Sequence, residues 1–392
     1  MTIDVERARR DTRACEVITH FNNAGASLPP AVVTDTVREH LRSEEAFGGY
    51  EAQELVSEVH AGARAAVARL VGGAPADVAF FDSSTRAWQS ALYALHWRPG
   101  DRILTAEAEY PSNVFGYEYL RERHGVEVDY APNDATGQVD VDAMRALVTD
   151  RTRLITLTHV PTYSGLVNPA AAVGAVAREA GVPYLLDACQ SVGQLHVDVD
   201  EIGCDMLAAA GRKYLRGPRG TAFLWVRPTL LGDLRVQFSD NHGAAWTSAH
   251  EFSARADAER FETFERSVAL ELGLGAAARY ALELGTRDIE ERVVDLGAAL
   301  RGVLSDTPRV TVRDRGARLG GIVTFTVEGA DAARVAGRLR AAHINVSVTT
   351  LNAARRSFPS LGIDSVVRAS AHYYNTHEEI ARLAAAVASL RP

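Results

Sequence analysis

From Asp77 onward the chain alternates short apolar runs with longer helical stretches, and that rhythm restricts what it can fold into. Val78–Phe81 and the runs at 102–105, 126–130, 154–158 and 182–187 read as strands. Helical stretches at 85–95, 112–122 and 169–180 stand between them. Such alternation closes into an α/β architecture, a doubly wound and mostly parallel sheet with helices on both faces. Ahead of it lie a Gly/Asn/Pro loop from Thr19 to Pro30 and two amphipathic helices over 31–72, parted by Phe47-Gly48-Gly49-Tyr50. Beyond it Met206–Ala210 forms another apolar run, and helices are expected at about 265–285 and 287–304. A smaller α+β unit ends the chain, with strands near Val310, at Ile322–Val327, 346–349 and 366–370, and a helix from His377. The expected division is an N-terminal arm (1–18), a large α/β domain (19–265), and linking helices with a small C-terminal α+β domain (266–392).

Composition removes several function classes. With 47% hydrophobic and 23% charged residues in 392, the chain has ample material for a buried core. Its net charge of −8 offers no basic face for phosphate backbones, which argues against a nucleic-acid partner. No apolar run reaches membrane-spanning length, and the opening MTIDVERARRDTR lacks the apolar segment of a secretory signal. Three cysteines, Cys15, Cys189 and Cys204, form no paired framework, so a reducing, cytoplasmic setting is expected. No residue is assigned to a metal.

The chemistry gathers where two strands end. The run 182–187 closes on Asp187, and Met206–Ala210 leads into Gly211-Arg212-Lys213 and the turn Gly217-Pro218-Arg219-Gly220. Ligands of open α/β sheets sit beyond the carboxyl ends of the strands. An acid and a lysine placed there suit pyridoxal phosphate, whose aldehyde takes a lysine as a Schiff base and whose ring nitrogen needs a carboxylate. A structural ion pair is the plainer alternative for two residues alone. Asp187-x-x-Gln190-Ser191, Gly211-Arg212-Lys213 and the Gly-Pro-x-Gly turn together resemble the core of the class V aminotransferases. That group belongs to fold type I of the pyridoxal phosphate enzymes (aspartate aminotransferase-like). It includes cysteine desulfurases, selenocysteine lyases, isopenicillin N epimerase-like enzymes and kynureninases.

The resemblance spans roughly residues 19–390 and implies a site. Lys213 falls at the Schiff-base position and serves as acid/base at Cα; Asp187 pairs with the ring nitrogen and Gln190 with the phenolic oxygen. Ser84 and Thr85, between a strand and a helix N-terminus, fall at the phosphate-contacting positions, though simple N-capping also suits them. Tyr110 falls where relatives stack an aromatic on the cofactor. Arg212 replaces a common His and is placed to hold the phosphate with its planar fork. In SVVRASAHYYNTHEEI, Arg368 matches the arginine that clamps the substrate α-carboxylate, with Asn23 and Gly25 facing the same group. In THVPTYSGLVNP, Thr162 stands where desulfurases carry Asn; it and Tyr163 are expected near the substrate, while His159 suits a core position equally. Cys189 reads as packing, and Asn375-Thr376 as the cap of the last helix. Ala210 lacks a hydroxyl that relatives use on the phosphate, so a homodimer partner is expected to supply a contact through residues 260–267.

Cysteine desulfurases take sulfur on a mobile-loop cysteine. Here the corresponding stretch reads VSVTTLNAARRSF (346–358), and no cysteine follows Cys204. The expected function is therefore a C–S β-lyase acting on a cysteine-derived S-conjugate. Transamination, Cα epimerisation and oxygen-dependent oxidative decarboxylation stay open within the family, and a non-catalytic binding protein outside it. Retention of Lys213, Asp187 and Arg368 speaks against the last. Phe47 to Tyr50, Tyr163 and Asn241 to Trp246 are the expected walls of a side-chain pocket.

Overall fold

A computed structural model describes residues 3–390. Its larger sheet has seven strands, in the order Val78–Phe81, Ala222–Val226, Met206–Ala210, Tyr184–Asp187, Thr152–Thr158, Arg102–Ala106 and Glu127–Ala131. Neighbours run parallel except at Ala222–Val226, which is antiparallel to both partners. The central strands are buried end to end, as expected of a sheet covered on both faces. Successive side chains alternate between two cores. Ile103, Leu185 and Leu224 pack with Trp88 and Tyr117, while Leu104, Leu186 and Phe223 join the cluster on the opposite face.

Helices Ser84–Ala94, Pro111–His124 and Ala170–Ala180 cross over at the expected places. The last two stop at Gly125 and Gly181, with φ of 66° and 63°, a left-handed cap that glycine adopts without a Cβ clash. A second sheet, antiparallel, orders Val310–Val312, Ile322–Val327, Ser365–Ser370 and Ser347–Thr350. Helix Thr286–Ser305 covers it with Leu296, Leu300 and Leu304 at helical spacing. His377–Ala388 closes the chain, capped by Thr376 in a reciprocal pair with Glu379.

Several elements differ from the sequence reading. Residues 31–72 form three helices, Ala31–Phe47, Gly49–Leu55 and Ser57–Leu70, because the chain breaks at Val56 as well as Gly48. Ala222–Val226, helices Val141–Leu147 and Ala332–Ala341, and the hairpin of Ala244–Ser248 with Glu251–Ala254 are additions. The two helices are short and lie in Ala/Arg-containing sequence, and each starts from an aspartate cap, Asp140 or Asp331.

The segment from Thr12 to Leu28 is tied down. Thr19 and His20 pair in parallel with Ile344 and Asn345 beside the second sheet, and Asn22 bridges to Ser370. Arg216, fully buried, donates to Thr12 Oγ1, Leu28 O and Tyr373 Oη and lies over the rings of Tyr373 and Tyr374. The N-terminal loop thus runs between the two sheets, above the carboxyl ends of the central strands.

Candidate active site

Those strand ends open into a polar pocket. Asp187 closes Tyr184–Asp187, Lys213 follows Met206–Ala210, and the N-terminus of Ser84–Ala94 adds Ser84 and Thr85. Tyr110, Thr162, Gln190 and Arg212 line the same space. Asp187 is buried, with Oδ1 accepting from the Cys189 N–H at 3.0 Å and Oδ2 from Asn113 Nδ2 at 3.0 Å. A carboxylate oxygen accepts more than one donor, so both remain able to bind a ligand. Lys213 is only 7% exposed; burial lowers its pKa, and the Arg212 and Arg368 charges push the same way against Asp187. The ring of Tyr110 is centred 5.7 Å from its Nζ.

At the other end of the pocket, the helix cap is Ser83, whose Oγ accepts from the Arg86 N–H at 3.4 Å. Capping therefore does not consume Ser84 or Thr85, and both hydroxyls stand at a helix N-terminus, where anions are favoured. Gln190 donates to Ala24 O at 3.0 Å and to Thr162 Oγ1 at 3.4 Å, but its Oε1 is buried without a partner. A buried acceptor left unpaired costs about 1–3 kcal/mol, and a ligand hydroxyl beside it removes that cost. An amine, a carboxylate, an orphaned amide oxygen, an aromatic ring and a hydroxyl-lined helix start fit pyridoxal phosphate at its aldehyde, ring nitrogen, phenol, ring face and phosphate.

Arg368, from Ser365–Ser370, stands at the pocket's rim. Its Nη1 donates to Thr162 O at 2.8 Å and Oγ1 at 2.7 Å, its Nε to Ser347 Oγ at 3.0 Å, and its Nη2 reaches Asn22 Oδ1 at 3.4 Å. No carboxylate pairs with it among the described residues, and burial lowers it to about 10, still charged at neutral pH. Asn23 does not stand with it. Its side chain is fully buried, donating to Ser370 O and accepting from Tyr374 Oη, so the amide that faces Arg368 is that of Asn22, one residue earlier. Gly25 lies outside the pocket lining; its carbonyl accepts from Arg212 Nη1, and a Cβ there would sit 2.5 Å from Asn22 Oδ1. Part of the Arg212 fork is thereby spent on backbone.

Other expectations shift as well. Tyr163 is buried, its Oη bound to Ser357 Oγ at 2.5 Å and its ring against Phe358, so it supports a loop. Tyr50 and His242 line a separate cavity with Phe264, away from Lys213. His159 is not a satisfied core histidine: Nδ1 is buried without a partner, and burial lowers the ring to about 3, so it is neutral. Burial pushes the Cys189 thiol up to about 12, consistent with packing. Within 260–267, Glu262 turns inward, bonding Arg64 at 2.5 Å and the Phe80 N–H at 2.6 Å.

Sequence reasoning passed over Glu109. It is buried and accepts from Thr105 Oγ1 at 2.5 Å, Thr158 Oγ1 at 2.9 Å, Asn113 Nδ2 at 3.0 Å and Tyr117 Oη at 3.0 Å. Burial raises its pKa against these donors. Asn113 Nδ2 donates to both Glu109 and Asp187, so one amide aligns two carboxylates. The only local signal is the i, i+4 spacing of Glu109 and Asn113 at a helix start.

The sequence model of the family "Aminotransferase class-V" matches residues 18–383. The chain belongs to the class V aminotransferases. A protein of Xylella fastidiosa described as a probable cysteine desulfurase is 28% identical over 402 residues, covering 99% of this chain and 96% of its own. The apo structure of a cysteine desulfurase from Thermococcus onnurineus NA1 superposes with a TM-score of 0.91 at 24% identity, over 98% of this chain and 97% of that one. The cystine C–S lyase C-DES, solved with its product cysteine persulfide, gives 0.87 at 24% identity over 97% and 100%. At these identities the two structures speak for the fold, which is fold type I of the pyridoxal phosphate enzymes. Class V aminotransferases work with pyridoxal phosphate, the group that the pocket residues fit. Among the described residues no helix is long and apolar enough to cross a membrane.

Proposed function

We propose that this class V enzyme is a C–S β-lyase acting on a cysteine-derived S-conjugate. Overall, R–S–CH2–CH(NH3+)–COO− and one water give R–SH, pyruvate and ammonium. The Cα–H and Cβ–S bonds break, and the sulfur leaves with the Cβ–S electron pair and gains a proton. The observation that carries this reading is the wall at the pocket's mouth. Residues 346–358 hold no cysteine to receive sulfur, while a buried Lys213 stands where a Cα proton must be taken.

When bound, pyridoxal phosphate supplies an electron sink for the charge left at Cα. The chain's residues do the rest. Lys213 anchors the cofactor and then moves the Cα proton, and its lowered pKa favours the free amine that this task needs. Asp187, held by the Cys189 N–H and Asn113, keeps a proton at the ring nitrogen. Ser84, Thr85 and the free part of Arg212 take the phosphate, Tyr110 covers the ring, and Gln190 meets the phenol. Arg368, with Thr162 and Asn22, fixes the α-carboxylate and so sets the angle of the Cα–H bond.

A homodimer is part of the proposal. Tyr50 and Phe264, half or more exposed, line a cavity beside 260–267, and Phe47 and Leu55 are exposed on the helices that adjoin it, a patch that a second copy would cover. Sedimentation velocity checks it: a dimer is expected, and a monomer at micromolar concentration removes this part. The reaction is tested by incubating the cofactor-loaded protein with S-alkyl cysteines. Pyruvate in step with thiol supports elimination. A 2-oxo acid that keeps its sulfur, or oxygen uptake with CO2 release, overturns it in favour of transamination or the oxidative route.

A further inference from the structure

Beside the pocket lies a second, much larger cavity, and the two meet at Tyr110 and Thr162. Its volume is about 1020 Å³. Pockets for drug-sized ligands run from about 300 to 1,000 Å³. An amino-acid head held by Arg368 and Thr162 leaves this whole space to its side chain. The thiol of free cysteine would occupy a small corner of it.

The sign of the cavity's charge narrows the side chain further. Its outer wall is the turn between Leu351–Ala353 and Phe358–Leu361, which carries Arg355 and Arg356. The wall is anchored: Ala354 and Phe358 are buried, and Ser357 Oγ bonds Tyr163 Oη at 2.5 Å. Arg355 donates to Asn352 Oδ1 at 2.9 Å, and the Arg356 guanidinium lies 3.3 Å from the centre of the Tyr130 ring. Neither has a carboxylate within 4.0 Å among the described residues. Three carboxylates line the same cavity. Glu118 pairs with Arg121, Glu109 is held by the Thr105, Thr158, Asn113 and Tyr117 side chains, and Glu107 accepts from the neutral Asn133 Nδ2 at 3.1 Å; Arg368 apart, the cations without an ion pair therefore lie on the turn. In a chain of net charge −8, the cations left over in this cavity stand out. Phe115, 66% exposed, lines the same space with an apolar face.

We propose that the substrate's S-substituent is long and ends in a carboxylate that binds Arg355 and Arg356, with its stem along Phe115 and Tyr130. Guanidinium forks suit a carboxylate, and Arg356 is already oriented by the ring beneath it. The proposal rests on the reading above for the position of the amino-acid head, and not for the reaction that follows.

The test uses the cofactor-loaded enzyme and a pair of probes, S-(4-carboxybutyl)cysteine and its uncharged primary amide. Binding is read from the change in the cofactor's visible absorbance as each amino acid is added, whatever products form. In wild type the acid is expected to bind about five to ten times more tightly than the amide, an advantage that salt erodes. In Arg355→Gln/Arg356→Gln that ratio is expected to fall to near one. Equal binding of acid and amide by wild type overturns the proposal, and so does a preference that persists in the double variant. The salt series needs no variant and stands even if the substitutions impair folding. Pyruvate is assayed separately. A preference for the acid without pyruvate retains the subsite and removes the lyase reading; pyruvate without the preference does the reverse.

Discussion

The inner pocket and the outer cavity are built from different parts of the chain. Asp187 and Lys213 stand at the ends of paired parallel strands, in register from Leu185↔Met206 to Asp187↔Ala208, and Ser84 and Thr85 start a helix. Moving any of them means breaking the sheet. The cavity beyond them is walled by the start of helix Pro111–His124 and the turn at 351–357, with Tyr130, Val348 to Thr350 and Arg368 added from strands. Loops accept substitution at little cost to the fold. On the proposed reading the sheet holds the groups that do the chemistry, while the far end of the substrate is met by a turn that can change without disturbing the sheet.

The comparison breaks first at Lys213. Lys213→Ala is expected to lower turnover by about a hundredfold to ten-thousandfold for every substrate, long or short, because proton transfer at Cα is lost. A variant that stays active on short substrates would place the chemistry elsewhere. Next comes Arg368→Ala, which removes one side of a charge pair with the α-carboxylate. It is expected to cost about 2–5 kcal/mol of substrate binding, seen in KM or in a spectral titration, equally for the carboxybutyl acid and its amide. A cost confined to the acid would assign Arg368 to the outer cavity.

Glu109→Gln sharpens the inner side. An NH2 placed among the Thr105, Thr158 and Tyr117 hydroxyls and the Asn113 amide leaves donors unpaired, so a loss of about 1–3 kcal/mol in unfolding free energy is expected. Because Asn113 also holds Asp187, the visible band of the bound cofactor should shift with it, while the acid-to-amide preference stays as in wild type. An unmoved band would reduce Glu109 to packing. A last prediction, with no effect expected on substrate binding, serves as a control outside both regions. Burial alone would raise the Glu262 carboxyl, but hydrogen bonds from His242 and Arg64 outweigh it and hold the group at about 2, below its ordinary 4.5. A carboxyl depressed on folding adds stability above its unfolded pKa and loses it as pH falls through its folded one. Glu262→Gln should therefore be less stable than wild type near neutrality, and the gap should narrow between about pH 4.5 and 2 in acid-unfolding curves. A gap independent of pH would show that the charge of Glu262 contributes nothing.

What the sequence made legible follows the same line. Strand ends are marked by apolar runs that stop at an acid or a glycine turn, so the doubly wound architecture and the places of Asp187 and Lys213 at strand ends could be read from the residues. The roles expected of the two came from the family resemblance. Glu109 could not, because its partners Thr105, Tyr117 and Thr158 come from three different elements. Which amide faces Arg368, that of Asn22 or Asn23, is decided by a short helical turn, Asn23–Ala26, and no periodicity runs through a loop that short. Arg355 and Arg356 were not singled out from the sequence, because only the fold sets them on a cavity with Phe115.

The central claim is that Lys213 is the cofactor's anchor in this pocket. The direct measurement is borohydride reduction of the pyridoxal phosphate-loaded protein, followed by peptide mapping by mass spectrometry. The expected result is a visible band that disappears on reduction and a phosphopyridoxyl group on the peptide containing Lys213, with no band and no label in Lys213→Ala. A label on another lysine, or wild-type protein that acquires neither band nor label with excess cofactor, would contradict the account.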